Sequence, residues 1–556
     1  MLLHFVYNKS ASEWRDSVKS RIAILLTMTL LPLTAQPATL QAFPSGTGLF
    51  PTIQNAIDAA AGGDTIQLAP GTFTGEGNRR LDFGGKDLTL RGSGDPAVTV
   101  IDCQLQDVGM HFHSGETENS LVENLTITRG KDPERFPGAG IICEYSSPVF
   151  RHLILLENRA VGNAGISLYY ASVLVEDCLF EGNTANGSGG AIGLGFSSVV
   201  IRRTSFINNT SDIFGGAINC DAESQLLCED CLFEGNLIDD WGGAIRVYGS
   251  ATAELTGCVF RNNQAKYGGA LYASGLVTIE DCVFESNYAE LFGGACQFQY
   301  EPDEGISSIH NSLFYANSAD YGGGAILAYY YGAFTMSIST VVGNENMEQN
   351  GAGILCGTAG SAWIDNSIIA FNHGPGVRHD ASSSIEIACS DVYGNTGGNY
   401  SGVMEDQTGL NGNISSNPLF CDYGSWDLTL ASQSPCLPEN NDCGVLMGAL
   451  GEACTLTGVE EAPALGARLL AAYPNPFNPT TTISMELESA AEVRLAVHDV
   501  TGRQIKVLHE GRLSAGPHEL LWRGRDDADR PVPSGLYFIH MDSADGRRSR
   551  KITLLR

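Results

Sequence analysis

Basic residues are scarce in this chain of 556 residues: 32 lysines and arginines stand against 63 acidic residues, which gives a net charge of −31. The deficit is concentrated in residues 36–465, which contain 15 basic and 50 acidic side chains. A field this negative repels phosphate backbones and anionic lipid headgroups. The composition therefore argues against nucleic-acid binding, and it favours solubility and the binding of cations.

Long apolar runs are also missing from the sequence beyond its N-terminal region. The apolar stretch Ile22–Leu33 follows Arg15, Lys19 and Arg21, and small residues come after it. A stretch of this length fits the core of a secretory signal peptide and is too short to span a bilayer. We therefore expect residues 1–38 to be a signal peptide and the mature protein to leave the cytoplasm.

Amphipathic stretches with the 3.6-residue period of helices are absent too, and this excludes the common helical repeats. The sequence has instead a six-residue phrase of the type CLFEGN, found at 178–183 and 231–236, whose closing Asn recurs about every 26 residues. This Asn occupies positions 158, 183, 209, 236, 263, 287, 317, 344, 372 and 395. A second phrase, GGA followed by an apolar residue or Cys, begins at 189, 215, 242, 268, 293 and 323.

Short segments that alternate between apolar and polar residues lie between these phrases, for example Val277–Glu280. Such segments, bounded by Gly, Asn and Asp, predict strands. About three short strands with their turns fill one repeat, so each repeat predicts one coil of a β-helix. The geometry then places the recurring Phe in an inward stack, Cys178, Cys231, Cys258 and Cys282 on the same inward face, and the Asn in a hydrogen-bonded ladder.

These FxxN and GGA[ILV] phrases, which share one register over roughly residues 130–400, resemble the repeats of chlamydial polymorphic outer-membrane proteins and of related pectin-lyase-like β-helices. The resemblance implies an all-β protein with a right-handed single-stranded parallel β-helix. It implies function only loosely, because that fold hosts adhesins, lyases and hydrolases alike.

A solenoid must cover its open ends. At the N-terminal end, Pro51–Ala61 predicts a short capping helix, so we place the β-helix at residues 45–454. At the other end, a cluster of cysteines predicts two disulfides with three possible connectivities. These cysteines are Cys421, Cys436, Cys443 and Cys454. The other cysteines are expected to be small buried side chains, with Cys220 and Cys228 the pair most open to bonding.

After a linker over residues 455–468, the block 469–556 has a different composition. It begins with the phrase YPNPFNP and later contains PSGLYF. Along its whole length it resembles the type A C-terminal sorting domain of type IX secretion cargo, which implies a small Ig-like β-sandwich related to the flagellar hook-cap fold. By resemblance, the domain engages the type IX secretion machinery and carries the protein to the outer-membrane surface or beyond. The motif residues are Pro474, Asn475, Pro476, Phe477, Asn478 and Pro479.

Candidates for catalysis or metal binding are few. Glu176 with Asp177, Arg202 with Arg203 and Glu229 with Asp230 occupy equivalent positions on three coils. Acidic ligands for Ca²⁺ and an Arg base on such a surface are features of pectate lyases, whereas the simpler interpretation is a ladder of salt bridges between coils. His111 and His113 share a predicted strand face but have no evident third ligand. No certain cofactor is predicted.

Aromatic residues suggest a binding surface. The residue before Gly-Gly is Phe214, Trp241, Tyr267, Phe292 and Tyr321 in successive coils, which predicts an internal stack or, if exposed, a platform for sugar rings. After the GGA phrase, alternation predicts a second, outward-facing row. Its members are Asn219, Asp221, Arg246, Tyr248, Tyr272, Gln297, Gln299 and Tyr329. The loop 300–305 is expected to wall one side of this face.

The sequence favours a monomeric, adhesin-like protein, secreted or on the cell surface, that binds a polysaccharide or the surface of a host or neighbouring cell through its outward-facing sheet. Two alternatives stay open at this point: a Ca²⁺-dependent, pectate-type lyase acting on an acidic glycan, and a structural surface spacer. The acidic body counts against the lyase, because a polyuronate would be repelled unless cations bridged it.

Overall fold

The computed structural model describes residues 36–131, 138–299, 305–348, 350–455, 467–473, 477, 479–487, 490–499, 503–543 and 546–554. The predictions for residues 1–35, for 300–304 in the expected wall loop, and for Pro474, Asn475, Pro476 and Asn478 lie outside these residues. Residues 39–402 form a parallel β-helix, in which each strand pairs with its counterpart one coil earlier and one coil later.

Three parallel sheets make up the β-helix, and each contributes strands to successive coils. The strands of sheet A are Thr39–Ala42, Thr65–Leu68, Gly71–Phe73, Thr89–Arg91, Thr99–Asp102, Leu121–Thr128, Val149–Leu156, Ser172–Glu176, Leu179–Glu181, Ser198–Arg202, Ser205–Ile207, Gln225–Glu229, Leu232–Glu234, Thr252–Thr256, Val259–Arg261, Leu276–Glu280, Val283–Glu285, Ser307–His310, Leu313–Tyr315, Ala333–Ser337, Thr340–Val342, Ser361–Asp365, Ile368–Ala370, Ser384–Ala388 and Asp391–Tyr393. The strands of sheet B are Met110–Phe112, Ile141–Glu144, Ile166–Tyr169, Ile192–Gly195, Ile218–Asp221, Ile245–Val247, Leu271–Ala273, Cys296–Gln299, Ile326–Tyr329, Ile354–Cys356, Val377–His379 and Tyr400–Gly402. The strands of sheet C are Arg159–Ala160, Thr184–Ala185, Thr210–Ser211, Leu237–Ile238, Gln264–Tyr267, Tyr288–Phe292, Ser318–Ala319 and Glu345–Asn346.

The core confirms the predicted inward stack of phenylalanines. Six Phe side chains from successive coils are fully buried, with ring centroids 4.6–4.9 Å apart and planes within 14° of parallel. They are Phe180, Phe206, Phe233, Phe260, Phe284 and Phe314. Burial of each such side chain contributes roughly 1.5–3 kcal/mol relative to leaving it exposed, so the stack is a large part of the stabilisation of these coils.

The recurring asparagines form the predicted ladder at one corner of the coil. Each side-chain amide donates to the amide oxygen of the Asn in the next coil at 2.8–3.1 Å. The same oxygen also accepts the backbone N–H of the preceding Asn, as Asn263 Oδ1 does from Asn236 at 3.0 Å. The buried amides are thereby satisfied without water, which a core of this polarity requires.

The paired glycines of the GGA phrase serve the adjoining corner. Gly215 has a φ of +60°, which is a left-handed conformation that glycine adopts without strain. A Cβ on Gly216 would lie 2.1 Å from the carbonyl oxygen of Gly243 in the next coil. The phrase therefore recurs because the backbones of neighbouring coils approach here too closely for a side chain.

The N-terminal cap is a helix over Ile53–Ala59, which lies within the predicted range. In its first turn, the N–H of Asn55 donates to the hydroxyl of Thr52 at 3.2 Å. Its buried residues Ile53, Ala56 and Ile57 join the main core. Parallel pairing starts earlier than residue 45, because Thr39–Ala42 already pairs with Thr65–Leu68.

The C-terminal end is closed by a small sheet of Phe420–Asp422, Asp427–Ala431 and Glu452–Cys454 and by two disulfides. Cys421 bonds to Cys454, and Cys443 bonds to Cys389. The prediction that Cys436 takes part is wrong: it is a buried thiol, and Cys389, which lies outside the sequence cluster, takes its place. Cys220 and Cys228 are also free and buried in the core.

Asp391 is fully buried beside this closure. Its carboxylate accepts the N–H of Ser416 at 3.0 Å and lies 3.3 Å from the thiol of Cys436. Burial raises the pKa of Asp391 to about 7, because these two contacts replace only part of the lost hydration.

Beyond the β-helix, residues 467–554 form two antiparallel sheets around a separate apolar core, as the predicted Ig-like sandwich requires. One sheet contains Ala467–Tyr473, Thr481–Leu487 and Gly516–Trp522, and the other contains Ala491–Asp499, Gln504–Leu513, Gly535–Ser543 and Gly546–Leu554. The predicted fold class is confirmed: an all-β chain with a β-helix followed by a small Ig-like sandwich. In the described part of the chain, no helix has the length and apolarity needed to cross a membrane.

The Asn ladder predicts a large effect for a single substitution. Asn263→Ala removes the acceptor of both the N–H and the side chain of Asn236, and it removes the amide that donates to the carbonyl of Phe233. We expect the free energy of unfolding to fall by about 3 kcal/mol, since buried unsatisfied polar groups each cost about 1–3 kcal/mol. Denaturant unfolding measures this change, and Gln264→Ala at the exposed neighbouring residue is the control. Equal stability of the two variants would contradict the proposed importance of the ladder.

The buried carboxyl of Asp391 predicts that the stability of the folded state depends on pH. The folded state holds the proton up to about pH 7, whereas the unfolded chain loses it near its ordinary pKa of 3.8. The stabilisation that the protonated Asp391 gives to the folded state is therefore complete below about pH 4, and it is lost as the pH rises towards 7. We expect Asp391→Asn to be more stable than the wild type at pH 8 and to lose this advantage below pH 4. Thermal unfolding at several pH values measures the effect, with Glu386→Gln, an exposed carboxylate, as the control. An advantage that does not vary with pH would refute this account.

Candidate functional site

The outward face of sheet B contains the polar row that the sequence predicted. Asn219, Arg246, Tyr272 and Gln297 lie in register on four successive coils and alternate with inward-facing core residues. Their side chains nevertheless are only 2–5% exposed. The expectation that these four residues form an open ligand-contacting surface therefore needs correction: they point outward, but a second layer covers them.

That covering layer includes the aromatic column that precedes Gly-Gly. Adjacent rings of Phe214, Trp241, Tyr267, Phe292 and Tyr321 have centroids 5.8–6.3 Å apart. The first four rings are half-buried and Tyr321 is exposed, so the column is external and the predicted alternative of an internal stack is wrong. We call it the aromatic ladder. The Trp241 ring lies 6.1 Å from the ring of Tyr272, and thus the ladder packs onto the polar row.

Arg246 connects the two layers. Its guanidinium lies 4.0 Å from the ring centroids of Phe214 and of Tyr248, a geometry that stabilises a cation between aromatic faces. It donates to Asn219 Oδ1 at 2.9 Å and pairs with Asp221 at 3.5 Å. Burial lowers the pKa of Arg246, and the carboxylate of Asp221 opposes this. The Arg246 side chain therefore holds two aromatic rings of the surface in fixed positions.

Two polar atoms of this buried row have no hydrogen-bond partner among the residues that the structure describes: Nε of Arg246 and Oε1 of Gln297. Buried polar atoms without partners are uncommon in folded proteins and call for an explanation, such as an ordered water or a ligand. Both atoms belong to the face of sheet B on which the exposed aromatic rings also lie.

The other predicted residues of the row remain accessible. Tyr248 is 46% exposed, and Asp221, Gln299 and Tyr329 are partly exposed. They lie at or just beyond the C-terminal ends of their strands, at one border of sheet B, whereas the residues of the aromatic ladder precede the strands of sheet B. The ring of Tyr329 nevertheless reaches the ladder and stacks on Phe292, with centroids 6.1 Å apart.

Sequence reasoning missed a second group of rings on the same border. Tyr145, Tyr170 and Phe196 follow successive strands of sheet B, and their rings stack with centroids 5.0–5.2 Å apart and planes 9° from parallel. We call this group the border stack. The ring of Tyr169 contacts all three edge-on. The border stack has a weak sequence signal, because it covers only three coils and ends where the next coil has Ala222.

Exposed aromatic side chains are unevenly distributed over the molecule. Among the described residues, the exposed phenylalanines and tyrosines other than Phe43 all border sheet B. They are Tyr145, Tyr169, Tyr170, Phe196, Tyr248, Tyr321, Tyr330 and Tyr331. A concentration of exposed apolar rings on one side of a protein is typical of an interaction surface.

The acidic metal candidates have other partners. Arg203 binds Glu176 at 2.7 Å and Asp177 at 2.9 Å, and this contact lowers the pKa of both carboxyls. Arg202 pairs with Glu229 on the next coil, and Asp230 lies at the corresponding corner. The arrangement is the ladder of salt bridges between coils that was the simpler interpretation. No group of three or more potential metal ligands is present in the described part of the chain.

The two candidate histidines also pair with carboxylates. Their rings lie 4.3 Å apart; His111 contacts Glu144 at 3.3 Å, and His113 contacts Asp82 at 3.4 Å. Burial lowers the pKa of His111, which favours its neutral form. These contacts supply neither a third nitrogen or sulfur ligand nor an activated nucleophile.

The comparisons with known proteins agree with the fold. A family model described as a right-handed β-helix region matches residues 139–306, and a model of the FlgD Ig-like domain matches residues 475–547. The chain therefore carries a right-handed β-helix region followed by an Ig-like domain of the FlgD type. The sequence has no significant match among curated proteins.

Several solved structures match parts of this chain at low identity. Tailspike protein 3 of bacteriophage CBA120 is 10% identical over 62% of this chain, with a TM-score of 0.31, and this chain spans 57% of its length. The catalytic unit of a GH87 α-1,3-glucanase from Streptomyces thermodiastaticus is 14% identical over 66% of this chain and 70% of its own, with a TM-score of 0.34. An alginate lyase from Paenibacillus sp. is 14% identical over 63% of this chain and 98% of its own, with a TM-score of 0.26. At these TM-scores the likenesses reveal nothing about ligand or chemistry.

Proposed function

We propose that the protein is an adhesin-like β-helix, secreted or on the cell surface, that binds polysaccharide along sheet B without cleaving it. The observation that carries the proposal is the concentration of exposed aromatic rings on this one side of the β-helix. Aromatic rings with adjacent polar groups suit sugars, whose C–H faces are apolar and whose rims carry hydroxyls. Asp221, Gln299 and the phenols of Tyr248 and Tyr329 supply such polar groups.

The rigidity of the surface supports binding. The aromatic ladder rests on a buried polar row, and Arg246 contacts rings of both borders through Phe214 and Tyr248. A surface whose rings are already held in place loses little conformational entropy when a ligand binds. Coils repeat about every 4.8 Å, so the ladder presents rings over roughly 20 Å, a length suited to an extended chain of sugars.

The lyase alternative has no supporting observation in the structure. Its acidic candidates Glu176, Asp177 and Glu229 are neutralised by arginines, and Ca²⁺ would have to displace those arginines to bind. The net charge of −31 also opposes an acidic glycan. Binding without turnover is therefore the function we favour, and an uncharged polysaccharide is the ligand class that fits the charge.

Export is the second part of the proposal. We infer that the FlgD-type domain is a type IX sorting domain, on the strength of the sequence motif at residues 473–480 and of the Ig-like sandwich. Within the motif, Phe477 is buried, and its N–H donates to the carbonyl of Thr553 in the final strand at 2.9 Å. The disulfides at the end of the β-helix suit an oxidising environment outside the cytoplasm.

A double substitution tests the binding surface. Tyr248→Ala with Tyr329→Ala removes two accessible rings from sheet B, and we expect affinity for the bound neutral polysaccharide to fall at least about tenfold, equivalent to 1.4 kcal/mol. Affinity electrophoresis against a panel of neutral and uronate polysaccharides measures it. Phe43→Ala, which removes an exposed ring away from sheet B, is the matched control. Unchanged retention of the double variant would show that this face does not bind the glycan.

Removal of residues 466–556 tests export. In a bacterium with a type IX secretion system, we expect the truncated protein to accumulate in the periplasm, because the β-helix lacks the proposed sorting signal. Accessibility to protease added outside the cells measures surface display. A reporter protein fused to residues 466–556 provides the reciprocal control and should reach the surface. Normal display of the truncated protein would refute the sorting role.

A further inference from the structure

The border stack ends abruptly. Tyr170 and Phe196 occupy the corner after sheet B with φ values of +50° and +52°, and the next coil places Ala222 at this corner with a φ of +47°. The coils are directly stacked here, since the N–H of Phe196 donates to the carbonyl of Ala222 at 2.9 Å. Phe196 is thus the last ring of the stack, and the neighbouring position has only a methyl group.

A pocket of about 270 Å³ lies beside this end of the stack. Its lining includes the two rings, two hydroxyls, one carboxylate and one amide, from Tyr170, Phe196, Ser172, Ser198, Glu223 and Gln225. Ser172, Ser198 and Gln225 are in register at the start of three successive strands of sheet A. Because the residues that follow them are buried, their own side chains point outward, towards the pocket.

We propose that this pocket, which we call the end subsite, binds one uncharged sugar residue of the polysaccharide. The inference rests on the proposed function. It adds where one sugar residue binds and that this sugar residue is uncharged. The rings of Tyr170 and Phe196 offer an apolar wall, and the hydroxyls and the Gln225 amide offer donors and acceptors spaced about one coil apart. Glu223 accepts hydrogen bonds from sugar hydroxyls and repels a uronate carboxylate.

Because the corner at Ala222 carries only a methyl group, a larger side chain introduced there can fill the subsite. Ala222→Phe places a ring where the stack would continue, and the backbone there already has the φ of its aromatic neighbours. Ser286→Phe is the control, because Ser286 is exposed at a different corner of the coil, after the sheet A strand Val283–Glu285, and is also left-handed, with a φ of +54°. Each change adds a ring at a left-handed corner of a coil, and only the first lies beside the pocket.

The full chain is titrated with neutral cello-, xylo-, laminari- and malto-oligosaccharides and with oligouronates by calorimetry, and thermal unfolding checks that each variant is folded. We expect Ala222→Phe to lower the affinity for the bound neutral oligosaccharide at least about tenfold. Ser286→Phe should stay within about twofold of the wild type. Glu223→Gln should weaken neutral binding less than Ala222→Phe does, and it should raise the ratio of oligouronate affinity to neutral affinity several-fold, because the repelling charge is gone.

The outcomes separate the subsite from the wider proposal. If Ala222→Phe binds like Ser286→Phe while Tyr248→Ala with Tyr329→Ala still loses binding, the end subsite is wrong and the binding face stands. If the wild type binds no oligosaccharide or polysaccharide of these panels, both proposals fall. If Ala222→Phe fails to fold, Gln225→Leu together with Ser198→Ala takes its place, and unchanged binding by that variant overturns the subsite.

Discussion

Stacking in register is the constraint on which the rest of this molecule depends. Parallel strands of successive coils lie about 4.8 Å apart, so every buried group meets its own counterpart from the next coil. A polar side chain can occupy such a core only if it satisfies its own copy. Asn does so, because its amide is donor and acceptor at once and joins Asn158 to Asn395 in one continuous ladder. Phenylalanine meets the same requirement, because its ring stacks parallel to the phenylalanine ring of the next coil.

The constraint extends to the outside of the coil. An aromatic residue that recurs at one corner becomes a row of rings, and an acidic residue that alternates with arginine becomes a row of ion pairs. The face of sheet B combines such rows in two layers, with the buried polar row of Asn219, Arg246, Tyr272 and Gln297 beneath the aromatic ladder. The binding surface that we propose thus follows from the repeat itself. Its one specific subsite lies at Ala222, where the row of rings ends.

Much of the fold follows from the sequence because the repeat itself encodes it. The Phe stack, the Asn ladder, the paired glycines and the capping helix are each local patterns with one structural solution. The site was harder to predict, since strand alternation tells which way Arg246 points but not that Phe214 and Tyr248 cover it. The border stack of Tyr145, Tyr170 and Phe196 lacks a recurring motif. The partner of Cys443 was missed for a similar reason, because Cys389 belongs to a coil and is distant in sequence from the cysteine cluster.

The two disulfides at the end of the β-helix also determine how the molecule bears tension. Cys454 immediately precedes the segment that leads to the Ig-like domain, and its bond to Cys421 passes a pull on that segment directly to an earlier point of the chain. The Cys389–Cys443 bond carries the load further, into the last coils of sheet A. The chain between Cys389 and Cys454 therefore cannot be drawn out by such a pull while both disulfides are intact. Unravelling from this end would have to start at the coil before Cys389, where only hydrogen bonds and packing resist the force.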